Sequence, residues 1–146
     1  MTHLTSTTDW TYEGELFNGT QAIEDGYVGF VYLITDLSNG IKYVGKKTLI
    51  SKRRLPPLKG KKRKRVVIKE SDWPTYYGSS EEVKGILEER GAENFKREVL
   101  HLCKSKGEMS YLEVVEQIER KVLLTDDYYN GVISCKIHKT HVKNLK

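Results

Sequence analysis

Residues 29–45 limit what this chain can become more than any other stretch. Phe30-Val31-Tyr32-Leu33-Ile34 follows Gly29 as an unbroken run of aromatic, β-branched and aliphatic side chains. That composition predicts a buried strand. Asp36-Leu37-Ser38-Asn39-Gly40 is turn chemistry. Ile41-Lys42-Tyr43-Val44-Gly45 then reads as a second strand, so the pair predicts an antiparallel hairpin.

Further elements follow the same logic. Thr11–Phe17 reads as a short strand, with Trp10, Tyr12 and Leu16 as anchors. Ser79 and Glu82 have capping-box spacing, and Val83, Ile86 and Leu87 supply a helical apolar face that Gly91 ends. Phe95 to Cys103 predicts a third strand burying Val99, Leu100 and Leu102. A second helix is predicted from about Glu108 to Leu124, with Tyr111, Val114, Val115, Ile118 and Val122 as its stripe. Tyr128-Tyr129-Asn130-Gly131 reads as a turn. The expectation is a mixed α/β (α+β) domain, a three-stranded antiparallel sheet flanked by helices.

Between these elements lies a basic stretch, Lys46 to Lys69, densest from Lys59 to Arg65. Pro56-Pro57 and like-charge repulsion argue against a regular element there and for a long loop or extended hairpin. The chain has 146 residues and a net charge of +5, which suits one basic domain and a polyanionic partner. No apolar run reaches the ~18 residues of a membrane helix. The N-terminus lacks a basic start followed by an apolar stretch, so it does not read as a secretory signal. Cys103 and Cys135 form no CxxC pair, which suits a reduced cytoplasmic setting. His138 and His141 lack a further ligand and read as surface residues rather than a metal site.

Val31-Tyr32 and, eleven residues after Tyr32, Tyr43-Val44-Gly45 resemble the paired signatures of GIY-YIG nucleases, in the form phage members carry. Phe30 stands at the glycine position of the first signature, with Gly29 one place earlier. The order of other residues also resembles the family. Lys46 and Lys47 follow the second signature, Arg53 stands eight residues after Gly45, and Tyr76-Tyr77-Gly78-Ser79-Ser80 opens the central helix. Gly91 to Phe95 precedes the third strand, Tyr111-Leu112-Glu113 with Gln117 resembles the glutamate helix, and Tyr129-Asn130-Gly131 the closing asparagine turn. The resemblance covers about residues 28–135, leaving 1–27 as an N-terminal extension and 136–146 as a basic tail. Many members place a histidine near Gly78; here Tyr76 or Tyr77 would have to serve, and that choice stays open.

The resemblance implies a free-standing, homing-like DNA endonuclease that uses Mg²⁺ (or Mn²⁺). Tyr32 would be the base or water-orienting group and Tyr43 its partner. Arg53 would stabilise the phosphorane, Glu113 would hold the metal and Asn130 would support the site. A tyrosine is a poor base at its free pKa of about 10, so cations such as Lys42, Lys46, Lys47 and Arg53 would have to lower it. A shared site also demands proximity. A tight Asn39-Gly40 turn leaves Tyr32 and Tyr43 about 13 Å apart. A four-residue loop, Asp36 to Asn39, sets them opposite, and we expect the longer loop.

Physics and motif disagree on the glutamate. A helical wheel centred on the apolar stripe favours Glu119 over Glu113, whereas the motif selects Glu113, with Glu116 next. For DNA contact the candidates are Lys46, Lys47, Lys61, Lys62, Arg63, Lys64 and Arg65. No helix-turn-helix or zinc-finger pattern is present, so specificity is low or comes from a homodimer on DNA or from the N-terminal segment. The rivals are a non-catalytic nucleic-acid-binding module with this fold and an RNA-associated basic protein. Tyrosines that merely pack, solvated helix glutamates and a solvated basic insertion are the plain alternatives for each feature.

Overall fold

The structure is a computed structural model that describes residues 9–145. Two sheets form among these residues. One has five strands in the order β2-β1-β7-β3-β4, and the other is a two-stranded ribbon, β5-β6. The strands are β1 (Trp10–Tyr12), β2 (Glu15–Leu16), β3 (Gly29–Asp36), β4 (Lys42–Thr48), β5 (Ile50–Leu55), β6 (Arg65–Glu70) and β7 (Phe95–Cys103). The helices are α1 (Gly19–Glu24), α2 (Glu81–Arg90) and α3 (Lys106–Glu119). The three expected strands lie side by side and antiparallel, as β7-β3-β4. β1 extends them by pairing parallel to β7. No helix of the described residues is long and apolar enough to cross a membrane.

Strand β3 is an inner strand, between β7 and β4, and is buried on both faces, which is why its sequence is apolar without alternation. Phe30, Tyr32 and Ile34 point into one core with Trp10, Phe17, Trp73, Val83 and Phe95. Val31 and Leu33 point into a second core with Val44, Cys103, Met109 and Val122, beneath α3. Residues 10–27 are built into the first core. The Trp10 indole N–H donates to the Trp73 carbonyl at 2.8 Å. The Thr11–Phe17 stretch is two strands rather than one, joined by Glu13-Gly14, both at positive φ, as a type I′ turn requires. Leu16 is exposed on the edge strand, and Phe17 takes the anchoring place.

A bulge between Val31 and Tyr32 shifts the β3–β7 register, leaving Leu100 without a β3 partner. Leu100 and Leu102 therefore pack on opposite faces. The bulge also turns His101 toward α3, where its Nε2 meets Glu116 at 2.8 Å. Burial pushes the Cys103 thiol up to about 12, with Glu108 adding to it; both cysteines are free.

The β3–β4 turn is a four-residue loop, but it spans Leu37–Gly40, one residue later than expected. Thr35 pairs with Lys42, so Tyr32 faces Gly45 and Tyr43 faces Ile34. Asp36 fixes this register. It is 1% exposed and accepts from the Ser38 N–H and hydroxyl, the Asn94 amide and the Tyr129 hydroxyl. Burial alone would raise its pKa, yet these hydrogen bonds hold the carboxyl below the ordinary range.

The basic stretch takes the second of the two expected forms, an extended hairpin. Its hairpin arms are regular because no two cations stand directly opposite along the ribbon's middle: Lys52 faces Ile68, Arg53 faces Val67 and Arg54 faces Val66. The D36N variant is expected to lose about 2 kcal/mol in urea unfolding at pH 7. Because folding depresses this carboxyl, its contribution exists above the unfolded pKa and disappears as pH falls. The gap between wild type and variant should therefore close below pH about 4.

Candidate active site

β4 is an edge strand, and its outward peptide groups need partners. The segment after α3 supplies them. Lys42 N–H donates to the Asp127 carbonyl, and Tyr129 N–H donates to the Lys42 carbonyl. The Asn130 side chain then takes both groups of Val44. Its Oδ1 accepts from the Val44 N–H at 3.0 Å and its Nδ2 donates to the Val44 carbonyl at 2.8 Å. Gln117 Nε2 donates to the same carbonyl at 3.4 Å. Tyr43 is thus held between two pinned residues.

Alternation along β4 puts Tyr43, Gly45 and Lys47 on the Tyr32 side. The Tyr32 and Tyr43 rings sit on a diagonal, 6.3 Å between centroids. A Cβ on Gly45 would lie 2.3 Å from the Tyr32 hydroxyl, so only glycine fits opposite that ring. Gly78, at φ +93°, closes over the same hydroxyl. Tyr76 packs edge-on to Tyr32 at 5.9 Å, with the Lys47 ammonium 4.2 Å from its ring centroid. Tyr77 instead turns toward Phe95 and Arg97. Arg97, 3% exposed, donates to the Pro74 and Tyr76 carbonyls and so fixes the segment that carries Tyr76.

A cleft of about 370 Å³ opens in front of these elements, lined by Tyr43, Glu113, Gln117, Asn130, Ser80 and Glu82, among others. Glu113 reaches it because the inward face of α3 runs through Met109, Glu113 and Gln117, spaced by four. Only part of the expected stripe is buried: Val122 is, Val114 and Val115 are half-buried, and Tyr111 and Ile118 are exposed, the latter at 60%. A wheel centred on those apolar residues therefore points away from the cleft. Glu116 is engaged elsewhere, with His101 and with Arg120 Nε at 2.7 Å. Burial would raise its pKa, but these partners hold it below the ordinary range. Glu119 is exposed.

The Glu113 side chain is 14% exposed, and Lys46 Nζ stands 3.9 Å from its Oε1. The same ammonium donates to Ser110 Oγ at 2.8 Å. Burial raises the Glu113 pKa, and Lys46 opposes the rise. Among the described residues no three His, Cys, Asp or Glu side chains gather to hold an ion. One half-buried carboxylate on an open cleft fits a hard cation such as Mg²⁺, which takes one or two carboxylates and completes its shell with water and phosphate oxygens.

Neither tyrosine sits in the expected cationic field. Burial pushes Tyr32, 1% exposed, well above its ordinary pKa, and Tyr76, Tyr43 and Glu113 add to this. Burial also raises Tyr43, against a lowering contact from Ser79, whose Oγ lies 3.1 Å from the Tyr43 hydroxyl. Lys42 lies near the Tyr128 ring, Lys46 serves Glu113, and Lys47 pairs with Asp72. Arg53 lies exposed on β5 and does not line this cleft. Lys61 to Lys64 are exposed at the ribbon tip, and Arg65 begins β6. In a local turn the His138 N–H donates to His141 Nδ1, and the His138 ring bonds to Thr140.

Sequence reasoning left Tyr76 and Tyr77 undivided, and it missed the Ser79 contact and the two glycines that enclose Tyr32. The strand alternation of Gly45 with Tyr43 was the available signal for one of those glycines. The G45A variant is expected to unfold about 1–3 kcal/mol more easily in urea. The matching G85A change, where nothing lies within 4 Å in the middle of α2, should be neutral or stabilising by up to about 1 kcal/mol.

Comparison with protein families places residues 10–133 in the family described as "Putative endonuclease segE, GIY-YIG domain". Comparison with curated proteins and with solved structures found no match.

Proposed function

This chain belongs to the GIY-YIG nuclease family, and from that premise we propose that it hydrolyses phosphodiester bonds of DNA in the Tyr43–Glu113 cleft with Mg²⁺ or Mn²⁺. The observation that carries the reading is the meeting of Tyr43, Glu113 and Asn130 at one cleft from three separate parts of the chain. A mobile, homing-like role, which the resemblance of the paired signatures to phage members implies, is part of this proposal.

Glu113 would hold the cation, which supplies charge stabilisation at the phosphoryl group when bound. Tyr43 is protonated at neutral pH, so it orients the attacking water as a hydroxyl rather than abstracting a proton as tyrosinate. Tyr32 is a positioning residue, because its hydroxyl lies beneath Gly45 and Gly78. Lys46 supplies positive charge beside the carboxylate. Tyr76 is better placed than Tyr77 to protonate a leaving oxygen, since Tyr77 is turned toward Arg97. Asn130 acts through the Val44 backbone.

Purified protein is expected to cut supercoiled plasmid with Mg²⁺ and not with EDTA, and the E113Q variant should lose at least about 100-fold in rate. Cutting that survives in E113Q would sink the assignment of Glu113. Intact DNA binding without cutting by wild type would favour a non-catalytic module.

At subsaturating Mg²⁺ the rate should fall on the acid side as protons compete with the cation for Glu113, at a higher pH than an unburied glutamate would give because burial raises its pKa. K46A removes the opposing cation, so its acid limb should move to higher pH. With Tyr43 raised above its ordinary value, no tyrosinate-dependent rise should appear between about pH 7 and 9. A pH–rate profile of wild type and K46A checks both statements.

A further inference from the structure

Charge is distributed very unevenly along this chain. Ten of its 25 basic residues and one of its 20 acidic residues fall within residues 50–70. That segment carries net charge +9, and the remainder carries −4. The whole positive excess therefore sits on the β5-β6 ribbon and its tip, and the body that holds the cleft is net acidic. A polyanion approaching the cleft is repelled by the body unless the ribbon holds it.

The ribbon is built for such contact. Six residue pairs join its strands, giving a length of about 20 Å. Its side chains are exposed on both faces, apart from the half-buried Ile50 and Leu55 at its ends. One face presents Arg53, Arg65 and Lys69; the other presents Lys52 and Arg54 beside Val66 and Ile68. Val66 and Ile68 are 57% and 59% exposed, a poor solution for a strand that touches nothing else. The root is firm. Leu49 is fully buried and donates its N–H to the Val28 carbonyl, Ser71 N–H donates to the Leu49 carbonyl, and Trp73 Nε1 donates to Glu70 at 2.8 Å. Lys47, two residues before Leu49, packs on the Tyr76 ring beside Tyr32, so the root adjoins the cleft machinery.

We infer that the β5-β6 ribbon is the DNA-reading arm of this protein and enters the major groove of duplex DNA. This rests on the nuclease reading for the identity of the polyanion. A two-stranded ribbon fits a groove about 12 Å wide. Arginines there meet the acceptor edge of guanine, and aliphatic side chains meet the thymine methyl. The tip cations, Lys59 to Lys64, track phosphates at the groove wall. Arg53 then stands among the groove-facing cations.

Two variants test this with a random-sequence duplex of about 30 base pairs, three turns of the helix. In the first, residues 56–64 are replaced by Asn-Gly, which can join Leu55 to Arg65 because the two are already cross-strand partners. The second is R53A. The shortened ribbon should bind at least about tenfold more weakly in about 0.15 M salt. Its slope of log affinity against log salt should be shallower by about 0.9 for each phosphate that the removed cations neutralise in wild type. R53A should weaken binding about fivefold or more. Methyl green, which occupies the major groove, should displace the protein, and netropsin in the minor groove should not.

Unchanged affinity and salt slope in the shortened ribbon would overturn the inference. So would an R53A variant that binds as tightly as wild type. Binding of duplex RNA as tight as that of DNA would also refute it, because the RNA major groove is too narrow for side chains to read. The E113Q variant separates the two readings. If wild type never cuts but binding depends on the ribbon, the nuclease reading fails and the arm stands. If wild type cuts and the ribbon variants match it, the arm alone fails.

Discussion

The Val44 peptide points out of the sheet, and both its N–H and its carbonyl are taken by the Asn130 side chain. An edge strand without such a partner presents free backbone groups and a loosely defined register. Here the clamp, with the flanking bonds of Lys42, closes the edge and fixes the two residues either side of Tyr43. Gly45 then falls opposite Tyr32, leaving just enough room for its ring, and Tyr43 falls on the diagonal. The same closing segment brings Tyr129 to Asp36, so one stretch of chain fixes the turn and the edge together. The cleft inherits its geometry from backbone hydrogen bonding rather than from contacts among its own polar side chains.

That arrangement divides labour between two parts of the fold. The body supplies a half-buried carboxylate, protonated tyrosines and the nearby ammonium groups of Lys46 and Lys47, with a net acidic charge that does not attract a nucleic acid. The ribbon supplies charge and reach but none of the cleft's lining. Holding a polyanion and hydrolysing it make opposite demands. Phosphate contacts favour mobile, well-hydrated cations, whereas a reacting centre benefits from fixed groups in a partly dry site. Separating them on a rooted ribbon meets both demands in a short chain.

Much of this was legible in the sequence. β3, β4 and β7 could be read from composition alone, because β-branched and aromatic runs have few other stable placements. The end of α2 followed from Gly91, whose φ of +85° no other residue adopts as easily. Its start was less clear: Ser80, not Ser79, accepts the capping bond, and Ser79 is released to meet Tyr43. The α3 face was misread for a physical reason. A helix that lines a polar cleft buries Glu113 and Gln117 and leaves Tyr111 and Ile118 outside, so hydrophobicity points the wrong way. Only the motif spacing led to Glu113. The direction of the tyrosine pKa values was not legible either, because it depends on burial, and the neighbouring lysines turn to other partners.

The central claim is that protonated tyrosines deliver a water to phosphorus. Single-turnover plasmid cleavage in oxygen-18 water, with denaturing analysis for protein attached to DNA, tests it most directly. One labelled oxygen in each new terminal phosphate is expected, with no covalent adduct. A phosphotyrosine link at Tyr43 would contradict it, because the tyrosine would then be the nucleophile, and product phosphate without label would contradict it because the C–O bond would then have broken with no water attacking phosphorus.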